Sequence, residues 1–219
     1  MAPNAPEAIR ADYDRLAEDY ARKLCDELQH KALDRELLAR FAAAVKEQGT
    51  VCDMGCGPGH VTRYLYDAGA DVFGLDLSPG MIAQARRLSP HIRFCEGNML
   101  ALDLEDASLA GIAAFYAIVN IPSNSVPTVF REMYRVLQPG GRLLLAFHIG
   151  DDVLNPQELW GNSISIEFYR LEPDRISRLL ADAGFAIDEV VERDPYPDVE
   201  FQSRRAYLFA HRPLSRVDP

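Results

Sequence analysis

The chain has no long apolar run. Its longest plain aliphatic stretch is Leu143-Leu144-Leu145, extended only by Ala146 and Phe147. A membrane span needs about 20 apolar residues, so none is expected. The opening MAPNAPEAIRADYD has neither a basic start nor an apolar run, and no secretion signal is expected from it. An excess of lysine and arginine is missing as well: 23 basic residues face 33 acidic ones, for a net charge of −10. That balance opposes nucleic acid as the main partner, because a phosphate backbone requires clustered positive charge. Cysteine is sparse. Cys25, Cys52, Cys56 and Cys95 fit neither a zinc pattern nor a small disulfide framework, which points to reduced thiols in a cytoplasmic protein. No internal repeat or linker interrupts the stretch from Arg10 to Arg212, and the first residues and Pro213 to Pro219 read as tails. With 48% hydrophobic and 26% charged residues over 219 positions, the composition suits one domain with an ordinary core.

Ile9, Tyr13, Leu16, Tyr20 and Leu24 recur at helical spacing, as do Leu33, Leu37, Phe41 and Val45, with Gly49 ending the second helix. After these two helices the pattern alternates. Strands are expected at Thr50 to Met54, Asp71 to Leu75, Ile92 to Cys95, Leu109 to Tyr116 and Arg142 to His148. Helices fall between them, one starting near Pro58 and stopping at Gly69, one capped by Ser78-Pro79, and one from Val126 to Leu137. A helix from Pro173 to Ala183 and strands Phe185 to Val191 and Arg204 to Ala210 follow. Such alternation means an α/β fold: a doubly wound, seven-stranded, mostly parallel sheet with helices on both faces. The last two strands have no helix between them and are expected to pair antiparallel. Within a single domain over 1–219, this gives a helical cap (1–49), a core (50–150), a lid insert (151–172) and a C-terminal helix with its strand pair (173–212). In the insert, the alternation Ser163 to Tyr169 suggests one short extra strand, with Trp160, Phe168 and Tyr169 able to shape an apolar pocket.

In a doubly wound sheet, ligands bind beyond the carboxyl ends of the strands. Two of those ends carry Asp53 and Asp76, and Gly55-x-Gly57-x-Gly59 lies between them. Glycines there let the backbone turn tightly and approach a ligand, and the helix behind offers free N–H groups. The third glycine falls one residue early for a dinucleotide fingerprint, since His60 holds the sixth position. Asp76 lies 17 residues after Gly59, where a carboxylate can accept both hydroxyls of a ribose.

These segments resemble the class I S-adenosylmethionine-dependent methyltransferases. Asp53-Met54-Gly55-Cys56-Gly57-Pro58-Gly59-His60 is similar to their first motif, and Gly74 to Met81 to their second. Glu96-Gly97-Asn98-Met99, Phe115 to Pro122 and Val136 to Leu143 resemble the segments around strands three to five. The resemblance spans about residues 10 to 211 and implies S-adenosyl-L-methionine as cofactor. It implies the loop Gly55, Cys56, Gly57 and Gly59 under the methionine part, Asp53 near the amino group and Asp76 on the ribose. Leu77 and Met81 would pack near the adenine, Gly97, Asn98 and Met99 along its edge, and Phe115 and Tyr116 near the methionine end. The N-terminal Tyr13 and Tyr20 would reach the cofactor or the acceptor through their hydroxyls; simple core packing is the other reading of that stripe.

Methyl transfer needs alignment and exclusion of water, and a base only when the nucleophile still holds its proton. His148, closing the fifth strand, is the expected base, with a structural histidine as the alternative. In related proteins the position of Asn120 is commonly a histidine, so a base from that motif is missing here. His60 is expected to have no catalytic role, and His30-Lys31 reads as a solvated turn, with an anion site at Lys31 as the alternative. Asp151-Asp152 reads as solvated rather than as a metal pair, so no metal is expected. The expected function is metal-independent transfer to a small-molecule acceptor, by a monomer or homodimer, without nucleic acid or membrane. A dinucleotide-dependent oxidoreductase and a non-catalytic cofactor-binding module are the alternatives.

Overall fold

The structure is a computed structural model and describes residues 4–214. Helices α1 (Pro6–Leu24) and α2 (Ala32–Val45) precede the sheet. There follow β1 (Val51–Met54), α3 (His60–Asp67), β2 (Val72–Asp76), α4 (Pro79–Leu88), β3 (Arg93–Glu96), β4 (Leu109–Phe115), α5 (Val126–Val136) and β5 (Leu137–His148). The insert holds four two-residue strands: β6 (Val153–Leu154), β7 (Glu158–Leu159), β8 (Asn162–Ser163) and β9 (Phe168–Tyr169). Then come α6 (Pro173–Asp182), β10 (Ala186–Arg193) and β11 (Arg205–His211). The main sheet has seven strands in the order β10-β11-β5-β4-β1-β2-β3. β1 to β5 run parallel, and β11 runs against both of its neighbours; the helix-free link 194–204 suits its antiparallel pairing with β10.

Strand alternation sorts the core into two layers. Leu143, Leu145 and Phe147 of β5 pack with α5 and α6 through Phe130, Met133 and Leu180. Leu144 and Ala146 face the other way, onto Leu37, Phe41 and Val45 of α2 and Leu65 of α3. The chain leaves β1 toward β2 on one side and returns to β4 on the other, so a crevice opens above the ends of β1 and β4.

Four expectations need correction. β5 begins at Leu137 rather than Arg142, because the irregular stretch Pro139-Gly140-Gly141, with Gly140 at φ +81°, is tied to the chain just past β11: Arg212 N donates to Gly141 O and Gly140 N to Arg212 O. The helix before Gly49 already ends at Val45. The start is no tail at Asn4, which is buried and bonded to Asn120 O and to both the N–H and the O of Glu167. The other expected tail lies largely outside the described residues. The insert does not form one strand. β6 pairs with β9, and β7 with β8 across the two-residue turn Trp160-Gly161, both at positive φ (54° and 85°), as a type I′ hairpin turn requires. The alternation from Ser163 instead marks an extended stretch that buries Ile164 and Ile166 against Ile9 and Leu16 of α1. Asp12 of α1 fastens it, since its Oδ2 accepts from Ser165 N (2.6 Å), Ser165 Oγ (3.0 Å) and Ile166 N (3.0 Å).

Candidate active site

A cavity of about 890 Å³ follows the carboxyl ends of the sheet, roofed by α1 and the insert. Its floor at one end is the glycine loop. Gly55 sits at φ +73°, and a Cβ there would stand 2.5 Å from the Cβ of Ala117, so the loop passes too close to the β4 end for any side chain. Gly57 differs. A Cβ on it would meet nothing within 4 Å, so the space above its backbone is open to the cavity. Gly57 N donates to Asp76 Oδ2 (2.8 Å), and Ser78 N donates to Asp76 Oδ1 (2.9 Å). Both carboxylate oxygens are thereby aimed, and each keeps a lone pair for a hydroxyl in the cavity. Burial raises the Asp76 carboxyl above its ordinary range, while the N–H groups of Ser78, Gly57 and Leu77 oppose that shift.

Beside Asp76, Leu77, Met81, Gly97, Asn98, Met99 and Leu100 form a mostly apolar slot. Gly97 is tight: a Cβ there would meet Leu75 at 2.7 Å. Asn98 Oδ1 already accepts from Leu100 N (2.9 Å), so the edge contact expected of it shares that oxygen with the turn. An open glycine cradle, an oriented carboxylate and a mostly apolar slot fit a nucleoside.

The other half of the cavity is charged and aromatic. Tyr116 directly follows β4 at φ +55°, a position that a bulky side chain rarely adopts. Its ring lies 4.9 Å from that of His148, and its hydroxyl is 3.4 Å from that of Tyr207. His148 Nδ1 is 2.7 Å from Ser203 Oγ. Burial, with Arg205 and Lys31 close by, lowers the imidazole to about 3, so it is neutral at physiological pH. It is therefore a weak base, against the base titrating near neutral pH that the sequence suggests. Lys31 is only 4% exposed, which overturns the solvated turn expected there. It pairs with Glu27 (2.6 Å) and Glu200 (3.4 Å). Burial pushes Glu27 up, yet His60 and Lys31 bring it down to about 2. His60 Nε2 is 3.0 Å from Glu27 Oε1, whereas its buried Nδ1 has no partner. Asp152 is held by both Nε and Nη2 of Arg170.

Tyr13 Oη donates to Asn120 Oδ1 (2.6 Å), and Asn120 Nδ2 donates to Glu167 O (2.8 Å). Tyr20 packs edge-on against Tyr13 (5.6 Å) and against Trp160 of the insert (5.0 Å). Burial pushes the Tyr20 phenol up to about 12 and that of Tyr13 upward as well, so both keep their protons. Tyr13 thus bonds the roof together while lining the cavity.

Of the residues expected at the site, Tyr13, Tyr20, Gly55, Cys56, Gly57, Asp76, Leu77, Met81, Gly97, Asn98, Met99, Phe115, Tyr116 and His148 line this one cavity. Asp53 and Gly59 do not. Asp53 is 1% exposed beneath the loop, where its Oδ2 accepts from Thr62 Oγ1 (2.6 Å). Burial raises it to about 6 despite that bond. Gly59 caps α3 against the ring of Phe94, which a Cβ would meet at 2.9 Å. Glu27, Arg170, Glu200, Phe201 and Arg205 were not anticipated. Arg205 becomes visible only through the pairing of β11 with β5, which sets it opposite His148.

Residues 51–141 match the model of a family described as a methyltransferase domain. The chain has the Rossmann-like fold of the class I S-adenosylmethionine-dependent methyltransferases. Among curated relatives, a malonyl-[acyl-carrier protein] O-methyltransferase of Enterobacter lignolyticus is 32% identical over 160 residues, covering 73% of this chain and 61% of that protein. A demethylmenaquinone methyltransferase of Renibacterium salmoninarum is 35% identical over 112 residues, covering 51% and 46%. The chain thus spans about half to three fifths of the length of these relatives. A solved S-adenosylmethionine-dependent methyltransferase from Methanosarcina mazei shares the fold with a TM-score of 0.69 at 18% identity, covering 76% of this chain and 93% of that one.

Proposed function

We propose that the chain transfers a methyl group from S-adenosylmethionine to a small-molecule acceptor, without a metal ion, by in-line displacement. The observation that carries this reading is a single cavity that joins the Gly57–Asp76 cradle to a second, open half around Tyr116 and His148. S-adenosylmethionine, when bound, supplies an electrophilic methyl group on a positively charged sulfur. Asp76 holds the ribose hydroxyls, the slot of Leu77, Met81 and Met99 holds the base, and the loop from Gly55 to Gly57 runs under the amino-acid end. α1 and the insert exclude water from the reacting atoms. Tyr116 and His148 wall the acceptor and align it, with neutral His148 offering a hydrogen bond rather than taking a proton.

The open second half favours an enzyme over a module that only binds the cofactor, and His60 in place of a sixth glycine disfavours a dinucleotide. Asp152 is engaged by Arg170, which supports chemistry without a metal at that turn. The acidic net charge supports a small acceptor over nucleic acid. Calorimetric titration with S-adenosylmethionine, its demethylated product and NAD tests the reading. Micromolar binding of the first two without NAD is expected; binding of NAD alone would overturn it.

A further inference from the structure

We propose that the second half of the cavity receives the anionic group of an amphiphilic acceptor, with Lys31 and Arg205 as its counter-charges and Phe168 and Phe201 against its apolar body. This deepens the methyltransferase reading and rests on it only in calling the ligand an acceptor.

Two buried cations face this space. Lys31 precedes α2 and Arg205 opens β11, at 4% and 2% exposure. They lie on a common hub, with Lys31 Nζ at 5.8 Å and Arg205 Cζ at 5.9 Å from the Tyr116 ring centroid. Burying cations this deeply costs several kcal/mol unless they are matched. The neighbouring acids are already engaged. Glu200 Oε1 accepts from Arg193 Nη1 and from Tyr196 N, and its Oε2 lies 3.2 Å from Arg193 Nη2, 3.1 Å from Arg205 Nε and 3.4 Å from Lys31 Nζ. Glu27 is shared between His60 and Lys31.

Donors, by contrast, are left over. Arg205 gives Nη1 to Ser203 O and Nη2 to Phe201 O, while its Nε lacks the angle for a hydrogen bond to Glu200. A guanidinium has five N–H groups, so three remain unspent. The same cations disfavour a charged His148, which presents a neutral imidazole to the space. A cationic acceptor would meet Lys31 and Arg205, and the carboxylates beside them, Glu27 and Glu200, are already shared among basic side chains. The rim is apolar: Phe201 is 59% exposed and lies edge-on to His148 at 5.9 Å, and Val199 beside it is 42% exposed.

The test uses three probes that differ only in the head group: octanoate, octanol and octylamine. Each is titrated into the full chain at pH 7 by calorimetry, with the fluorescence of Trp160, the sole tryptophan and a cavity residue, as a second readout. Octanoate is expected to bind about tenfold tighter than octanol, as one charge-assisted contact would give, and octylamine more weakly than octanol. K31Q should remove most of that preference while leaving octanol affinity within about twofold. Equal binding of octanoate and octanol, or a preference for octylamine, would overturn the proposal. The wild-type comparison decides even if K31Q fails to fold. Titration with S-adenosylmethionine is a separate arm. Its failure would remove the methyltransferase reading and leave the anion preference standing.

Discussion

Replacing Asp12 by alanine should loosen the roof of the cavity without touching its floor. The carboxylate is 1% exposed, and its Oδ2 receives three hydrogen bonds from the insert, two from backbone N–H groups. In Asp12→Ala the fully buried Ile166 N–H loses its partner, at about 1–3 kcal/mol. The part-buried Ser165 N–H can turn to water and costs less, about 1 kcal/mol. Arg15, also paired with Asp12, is half exposed, and its loss adds little. The sum is about 2–4 kcal/mol against docking of the insert on α1, or about 30- to 1000-fold more frequent opening. Amide hydrogen exchange reads this directly: residues 163–167 should exchange faster by that factor, while amides of β4 and β5 remain protected. Asp12→Asn keeps an acceptor oxygen and should recover most of the protection. Unchanged exchange at Ile166 in Asp12→Ala would refute the reasoning, because the latch would then carry no load.

Asp76→Ala should weaken S-adenosylmethionine binding by about 1–3 kcal/mol in calorimetry, and unchanged affinity would remove Asp76 from the ribose. Gly57→Ala and Gly55→Ala should part company: the first fits in open space and costs about 1 kcal/mol of stability for its positive φ, yet projects into the cavity and blocks the cofactor. Gly55→Ala forces contact with Ala117 and should lower the melting temperature markedly more, as a thermal scan of both would show. The buried neutral imidazole of His148, held near 3, lets the unfolded chain bind a proton below about pH 6.5 that the folded chain refuses. Stability should fall with falling pH by up to about 1.4 kcal/mol per unit relative to His148→Gln. Asp53, raised to about 6, drives the opposite slope below that pH, so the variant difference is the quantity to measure by urea titration.

The fold was legible because its signals are local. Ser78 accepts from Met81 N as an N-cap should, and the strand that read as apolar on both faces, β4, sits between β1 and β5. The nucleoside half of the site was legible for the same reason: Gly55, Gly57 and Asp76 lie on consecutive elements. The charged half was not. Lys31, Glu200 and Arg205 come from an interhelix turn, a loop and a strand start that meet only once β11 takes its place beside β5. Lys31 looks like any surface lysine in the sequence, yet it is buried and pairs with Glu200, far along the chain. His148 stood where the sequence put it, but its protonation depends on those distant cations.

The position of β11 carries a consequence for assembly. The strand follows every other one in the sequence, yet it wedges between β5 and β10 rather than joining an edge. The nucleoside half needs nothing beyond β5, whereas Arg205 arrives only with β11. During synthesis the glycine cradle can therefore form first, and the charged half of the cavity stays unfinished until that wedge is driven home. A nascent chain would carry the Gly57–Asp76 cradle before Glu200 and Arg205 reach the charged half.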